Sequence, residues 1–426
     1  MRENILHFIW QHQYFTPGGI KTTGGETIQV LKPGFINTNA GPDFEQAKIR
    51  IGEVEWNGDV EIHVSGSDWL AHGHQNDQAY NKVILHVVWE DNGDMFRKDG
   101  TVMPVLELKE VVDSALLERA SALLESIETI PCASQLHLVS DLTVVETVHR
   151  ALIRRLERKA QTVLNELSAN KGDWSETAYR LLMRHMGMKV NGDSFYELAR
   201  AVPYKLIRKY KHSQILLEAL LFGASGLLES QKNEAYVDRL KEEYNFLIHK
   251  HELEKRLTPE QWKFMRLRPA NFPTLRIAQV VSILSKPVDV FEMFTEYNKS
   301  DALFKFLKAD TSDYWKSHYR FGPEARKKIP ALGKASVDIL VLNVVAPLLA
   351  AYSISISDNA YMEKAISISE VLKPENNRIT RQWSGLGVRV GNGAESQGLI
   401  ELYNEYCKEK ACLSCGIGFK ILNFKV

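Results

Sequence analysis

Four cysteines in 426 residues are too few for a disulfide scaffold, so a reducing cytoplasm is the expected setting. Net charge is absent too. Lys and Arg number 53, as do Asp and Glu, so the whole molecule offers no polyelectrolyte attraction to nucleic acid or membrane. The longest apolar stretch, about Ile339 to Ala351, is interrupted by Asn343 and Pro347 and is read as too short to cross a bilayer. Met1-Arg2-Glu3 runs straight into an amphipathic segment, without the basic, apolar and small-residue succession of an export signal. With 44% hydrophobic and 25% charged residues the chain is neither disordered nor low in complexity. What remains is an ordinary globular composition, long enough for two or three domains.

The pattern changes near residue 110. Ile5, Leu6, Ile9 and Trp10 recur at helical spacing, with Glu3, His7 and Gln11 along another face. After the turn-rich Pro17–Gly25 come strand-like runs at Thr27–Leu31, Phe44–Ile51, Val54–Val64, Val83–Trp89 and Val102–Leu108, with a short helix or loop at Ser67–Asn81. This predicts an α/β domain over 1–110 with a mixed sheet. A junction at 111–140 and an all-helical region over 141–426 follow, the clearest helices being Leu116–Ile127, Leu142–Leu167, Thr177–Met188, Phe195–Ala201, Gln214–Leu228 and Ala235–His249.

The first 110 residues hold 9 basic and 16 acidic side chains, a net of −7 that leaves +7 for the rest. Part of that acidity is ordered. From Glu53 to His63 the odd positions read Glu, Glu, Asn, Asp, Glu, His and the even ones Val, Trp, Gly, Val, Ile. In a strand, Asp59, Glu61 and His63 then share one face while Val60, Ile62 and Val64 take the core. Gly52 marks a hairpin reversal that brings Asp43 within a few residues of Glu61. Two carboxylates at such range repel unless a divalent cation lies between them, and Mg²⁺ or Mn²⁺ is expected there.

Pro42-Asp43 followed after 17 positions by Glu61-Ile62-His63 resembles the signature of the PD-(D/E)XK nuclease superfamily, and the order of helix, meander and later strand resembles its restriction-endonuclease-like core. The resemblance implies that Asp43 and Glu61 bind the metal, with the Ile62 carbonyl a third ligand, and that His63 activates or orients water. His63 stands where Lys is usual, so base chemistry is kept but a permanent cation beside the phosphate is lost. Glu3 is the candidate for the acidic residue that the superfamily often carries on its first helix. Strings such as Gly-Asp-Val-Glu-Ile-His-Val and Leu-Leu-Phe-Gly-Ala-Ser-Gly-Leu-Leu also resemble a bacterial family of unknown function across most of the chain.

Other residues compete for a role. His72, His74 and Asp77, with His86 on the next strand, have a spacing that binds Zn²⁺ or Mn²⁺ in some hydrolases; the plain alternative is a polar loop capping the sheet and a hydrogen-bonded core histidine. If they line the Asp43/Glu61 cleft, His72 and His74 would contact phosphate or help place a second metal. Cys407, Cys412 and Cys415 fall within nine residues, and Cys132 follows Pro131 upstream. Such thiolates suit Zn²⁺ or an iron–sulfur cluster, and the layout resembles that of superfamily nucleases closed by an iron–sulfur staple.

Trp262, Arg268, Asn271 and Arg276 recur 121 residues later as Trp383, Arg389, Asn392 and Gln397, which would let Arg268 and Arg389 line a basic groove or merely mark two helix starts. Arg150, Arg154, Arg155, Arg158 and Lys159, and Arg208, Lys209 and Lys211 with Tyr204 and Tyr210, either track a phosphate backbone or form solvated faces. The expectation is a metal-dependent phosphodiesterase acting on nucleic acid. Its alternatives are a degenerate nuclease-like fold that binds or scaffolds nucleic acid, and a small-substrate hydrolase built on His72, His74 and Asp77. No membrane partner is expected.

Overall fold

The computed structural model describes all residues except 16–18, 94, 230–233, 254–256, 297–299 and 425–426. Pro17 and Gly18, at the start of the expected turn-rich link, lie outside the described residues. Helix α1 (Glu3–His12) buries Ile5, Leu6, Phe8, Ile9 and Trp10. It ends at Gln13, whose left-handed φ of 53° lets its N–H reach the Ile9 and Trp10 carbonyls. Glu3 and His7, one turn apart, keep to the less buried side.

Strands β1 (Ile28–Lys32), β2 (Phe35–Ile36), β3 (Phe44–Ile51), β4 (Val54–Ser65), β5 (Val83–Glu90) and β6 (Val105–Glu107) form one mixed sheet in the order β1-β3-β4-β5-β6, with β2 on β3. β1, β3 and β4 are antiparallel neighbours, whereas β4, β5 and β6 run parallel. The β3–β4 hairpin turns through Gly52 and Glu53, with Gly52 at φ 57° as a two-residue turn requires. Register holds from Ile51↔Val54 to Ala47↔Gly58, then slips by one residue so that Phe44 faces Val60. Gln46, at φ 58°, is the extra residue of this bulge, and its N–H donates to Asp59 Oδ1 at 3.1 Å.

The segment between β4 and β5 contains helix α2 (Asp68–Ala71) and tight turns at His74–Asn76 and Gln78–Lys82. After helix α3 (Ser114–Glu125) the chain is helical, as its periodicity predicts. Two compact units result, Met1–Thr147 with Tyr403–Val426, and Val148–Leu402. The divisions drawn at 110 and 140 fall inside the first.

The second unit has a large apolar core that includes Phe195, Phe222, Trp262 and Trp315, and its helix Pro273–Leu284 is buried all round. The apolar stretch thought to stop at Asn343 and Pro347 is in fact one helical run, Lys334–Ile356, of 23 residues. A π-turn at Val341–Val345 absorbs the missing Pro347 N–H, which is why the proline does not end it. Among the described residues it is the one helix long and apolar enough to cross a membrane, and 67% of its apolar window is buried inside the protein, as in a core helix.

Candidate metal centre

The bulge in β3 decides what faces what. Unbroken pairing from the hairpin would set Asp43 against Ile62; the extra residue sets it against Glu61. The two carboxylates are locked there by reciprocal main-chain bonds. The Asp43 N–H donates to Glu61 Oε2 at 3.1 Å, and the Ile62 N–H donates to Asp43 Oδ2 at 2.9 Å.

Alternation along β4 puts Glu61 and His63 on one face, but that face is covered. Glu61 is 5% and His63 2% exposed, beneath side chains from α1 and from the segment after β4. Those side chains are mostly histidines. His7 Nε2 stands 3.3 Å from Asp43 Oδ2, and His74 Nε2 and His63 Nε2 stand 3.3 and 3.5 Å from Glu61 Oε1. His63 Nδ1 lies 2.9 Å from His86 Nε2, and its Nε2 lies 3.1 Å from His72 Nδ1. Tyr80 stacks on His74 with ring centres 3.8 Å apart.

Among the described residues, two sets of three present ligand atoms within 4.8 Å of one another, Glu3/His7/Asp43 and His63/His72/His74. Glu61 lies between them, bonded to the Asp43 main chain and at ion-pair distance from His63 and His74. His7 Nε2 and His74 Nε2 are buried and near carboxylates but are not aligned as hydrogen-bond donors. Ring nitrogens this close to carboxylate oxygens without bonding them are spaced as ligands to a common cation would be.

Electrostatics agree with that geometry. Burial first, and the neighbouring Asp43 second, push the Glu61 carboxyl up to about 8. Burial, then His74 and His72, pull His63 down to about 4, and burial with His63 pulls His86 down to about 3. His63 and His86 are thus held neutral, the form of imidazole that binds a metal.

Of the residues singled out in the sequence, Asp43, Glu61, His63, His72 and His74 come together. Asp77 does not join them: it is exposed, and its carboxylate caps the Gln78–Lys82 turn by accepting the Ala79 N–H. His86 takes the part of a hydrogen-bonded core histidine, 0% exposed within the apolar β5. His7 and Tyr80 were missed. His7 had a signal, its position one turn from Glu3 on the same helix; Tyr80 had none.

The Trp/Arg recurrence is not a structural repeat. Trp262 follows a short turn whereas Trp383 lies inside helix Arg378–Gly385. Asn392 caps helix Gly393–Glu401 by accepting the Glu395 N–H, but Asn271 instead accepts Arg276 Nη2. Arg268 is exposed before the Pro269–Asn271 turn, and Arg389 is exposed with Nε 4.0 Å from Glu395. Both belong to the second unit, whereas the carboxylates belong to the first.

Much of the basic run at 150–159 is spent internally. Arg155 and Arg158 bind Glu401, and Lys159 Nζ donates to Asn343 Oδ1 at 2.7 Å. Tyr204 is buried with its hydroxyl accepting the Val290 N–H, and Tyr210 bonds His251, so neither ring is laid out as a base-stacking platform.

Beside His74 and Tyr80 a cavity of about 300 Å³ opens, lined also by Trp69, Arg97 and Lys98. Fold and site together define a class: a mixed-sheet unit with a buried carboxylate–histidine cluster, joined to a helical unit. The chain belongs to the family described as Protein of unknown function (DUF2851), whose model matches residues 3–378. No curated protein and no solved structure matches it.

Proposed function

We propose that this protein is a metal-dependent phosphodiesterase acting on nucleic acid, with Asp43 and Glu61 holding the divalent cation. The observation that carries the reading is the pair of reciprocal bonds between Asp43 and Glu61, which holds two carboxylates as neighbours in a largely buried site where a shared cation would relieve their repulsion and let both stay ionised. The arrangement of an Asp at the start of one strand and a Glu on the next fits the PD-(D/E)XK resemblance, and Glu3 with His7 on α1 fits the accessory acidic position. The histidines favour Mn²⁺ or Zn²⁺ over Mg²⁺, because imidazole suits softer ions than a carboxylate–water shell does. Bound there, the cation would acidify a water molecule and neutralise charge developing on the phosphate.

The chain's own residues supply the rest. His72, exposed at the rim with its Nδ1 on His63, is placed to take the proton of an attacking water. His63 orients it, having both ring nitrogens engaged. Lys98, exposed in the cavity beside His74, offers the positive charge that a lysine at position 63 would have brought, and Tyr80 offers a ring edge for a base or sugar. The test is cleavage of labelled single- and double-stranded DNA and RNA with Mg²⁺, Mn²⁺ or Zn²⁺. Asp43→Ala and Glu61→Ala are expected to lose more than the roughly 10–100-fold that loss of an outer partner costs, with an unchanged circular dichroism spectrum.

A second reading, a nuclease-like fold that binds nucleic acid without cutting it, draws on His63. Neutral and bonded on both nitrogens, it is a poor replacement for a catalytic lysine. Salt-dependent binding with no cleavage under any of the three metals is the outcome that favours it.

A further inference from the structure

The histidines over β4 have a geometry of their own. His63, His72 and His74 each present a ring nitrogen within 4.8 Å of the other two. His63 lies on β4, His72 follows α2 with its N–H donating to the Asp68 carbonyl at 2.9 Å, and His74 opens the next turn. Gly73 between them stands at φ 75°, a left-handed conformation that reverses the chain, so that both imidazoles of the His-x-His pair reach the same place. Asp68 fastens the start of α2 to the end of β4, its Oδ2 accepting the Ser65 N–H at 3.0 Å.

The separations are those of a coordination shell. His63 Nε2 stands 3.1 Å from His72 Nδ1 and 3.5 Å from Glu61 Oε1, and His74 Nε2 stands 3.3 Å from the same oxygen. Ligand atoms about 2.0–2.1 Å from a tetrahedral Zn²⁺ lie about 3.3–3.4 Å from one another. Hydrogen bonds alone account for part of the cluster, since a proton on His72 Nδ1 serves His63 Nε2 and one on His63 Nδ1 serves His86 Nε2 at 2.9 Å. They leave His74 Nε2 buried beside a carboxylate oxygen with no hydrogen-bond partner. A cation accounts for all four atoms. His63 Nδ1 is then still free to donate to His86, the kind of outer contact that fixes the tautomer of a ligand imidazole, and Tyr80, stacked on His74, steadies the second ring.

We infer that His63 Nε2, His72 Nδ1 and His74 Nε2, with Glu61 Oε1 as the fourth ligand, bind Zn²⁺. Imidazole suits Zn²⁺, whereas a carboxylate–water shell suits Mg²⁺ and Mn²⁺, so this site is chemically apart from the Asp43 side of the carboxylate pair. Four protein ligands close the shell, which makes the ion structural: it pins the segment between β4 and β5 to the sheet and adds to folding stability. The inference holds whether or not the protein cleaves anything. Where the hydrolytic reading above also holds, zinc takes His72 Nδ1 and Glu61 Oε1 from their roles in it, and the zinc-loaded protein is its silent state.

The experiment is zinc analysis and zinc-edge X-ray absorption on the full chain after loading with Zn²⁺ and desalting, for the wild type and for His72→Ala, His74→Ala and Asp43→Asn. The expected result is a nitrogen/oxygen shell at about 2.0–2.1 Å with imidazole scattering beyond it. That shell should be lost in both histidine variants, whose zinc affinity falls by more than the roughly 10–100-fold that loss of an outer partner costs, and kept in Asp43→Asn. The free cysteines Cys132, Cys407, Cys412 and Cys415 would instead give sulfur at about 2.3 Å. A sulfur shell alone, no bound zinc, an imidazole shell that survives His74→Ala, or one that disappears in Asp43→Asn overturns the inference. Should the histidine variants fail to fold by circular dichroism, the imidazole shell of the wild type and its persistence in Asp43→Asn decide alone.

Discussion

Glu61 and His63 illustrate how a residue type acquires its role from its surroundings. His63 spends both nitrogens on other histidines, and it is buried. Installing the superfamily's lysine by His63→Lys therefore does not restore a better site. It strands His86 and buries a cation, and thermal melts should show a loss of about 2 kcal/mol or more. Glu401, in the second unit, shows the opposite balance. Burial alone would raise its pKa, but the hydrogen bonds from Arg158 and Arg155 hold it below the ordinary 4.5. Its folded pKa is depressed, so the stability it contributes is full above pH 4.5 and is lost as pH falls through the lower folded value. Glu401→Gln should cost about 2–3 kcal/mol near pH 7, short of the roughly 3–5 of a fully buried pair because Arg158 is half exposed. Urea midpoints of variant and wild type should converge as the pH is brought below 4.

At the scale of elements, the β3 bulge carries one extra residue. Deleting Gln46 removes it, so unbroken pairing then still sets Asp43 against Glu61, and the variant should keep its sheet and its metal binding, losing only the Gln46 N–H bond to Asp59. Gly58, paired with Ala47 beside the bulge, must stay bare: a Cβ would meet the Lys82 carbonyl oxygen at 2.4 Å and Ile84 Cγ2 at 2.5 Å. Gly58→Ala is expected to cost about 1–3 kcal/mol by denaturant titration. Strand β3 was legible to the residue because its boundaries are turn residues and its interior is continuous. The bulge was not, since nothing in Phe44-Glu45-Gln46-Ala47 marks a left-handed glutamine. The carboxylate pair was therefore readable as a neighbourhood but not as a register. The histidines were readable singly, as His-x-His after the strand and a lone polar residue in β5, but their convergence on Glu61 depends on how α2 and its turns fold back, which no local pattern encodes. Pro347 misled for a local reason, because a π-turn one step earlier accommodates it.

At the scale of the molecule, composition and periodicity foretold an α/β part followed by a helical one, and the mixed sheet and helical region are what the chain forms. The return of residues 403–426 to the first unit left no mark in hydropathy; the cysteines alone hinted that 132 and 407–415 meet. The C-terminal helix buries Ile417, Ile421 and Leu422 within the first unit. A chain ending at Leu402 should lose about 5 kcal/mol or more from that unit while the core of 148–402 persists. Differential scanning calorimetry would register this as one lowered transition and one unchanged.

The claim on which the functional account rests is that Asp43 and Glu61 share one cation. Isothermal titration of metal-stripped protein with Mn²⁺ tests it most directly, reading binding without reference to any substrate. The account predicts saturable binding by the wild type that is abolished in Asp43→Asn and in Glu61→Gln, each folded as judged by circular dichroism. Binding that survives either substitution unchanged, or no binding by the wild type, would contradict it.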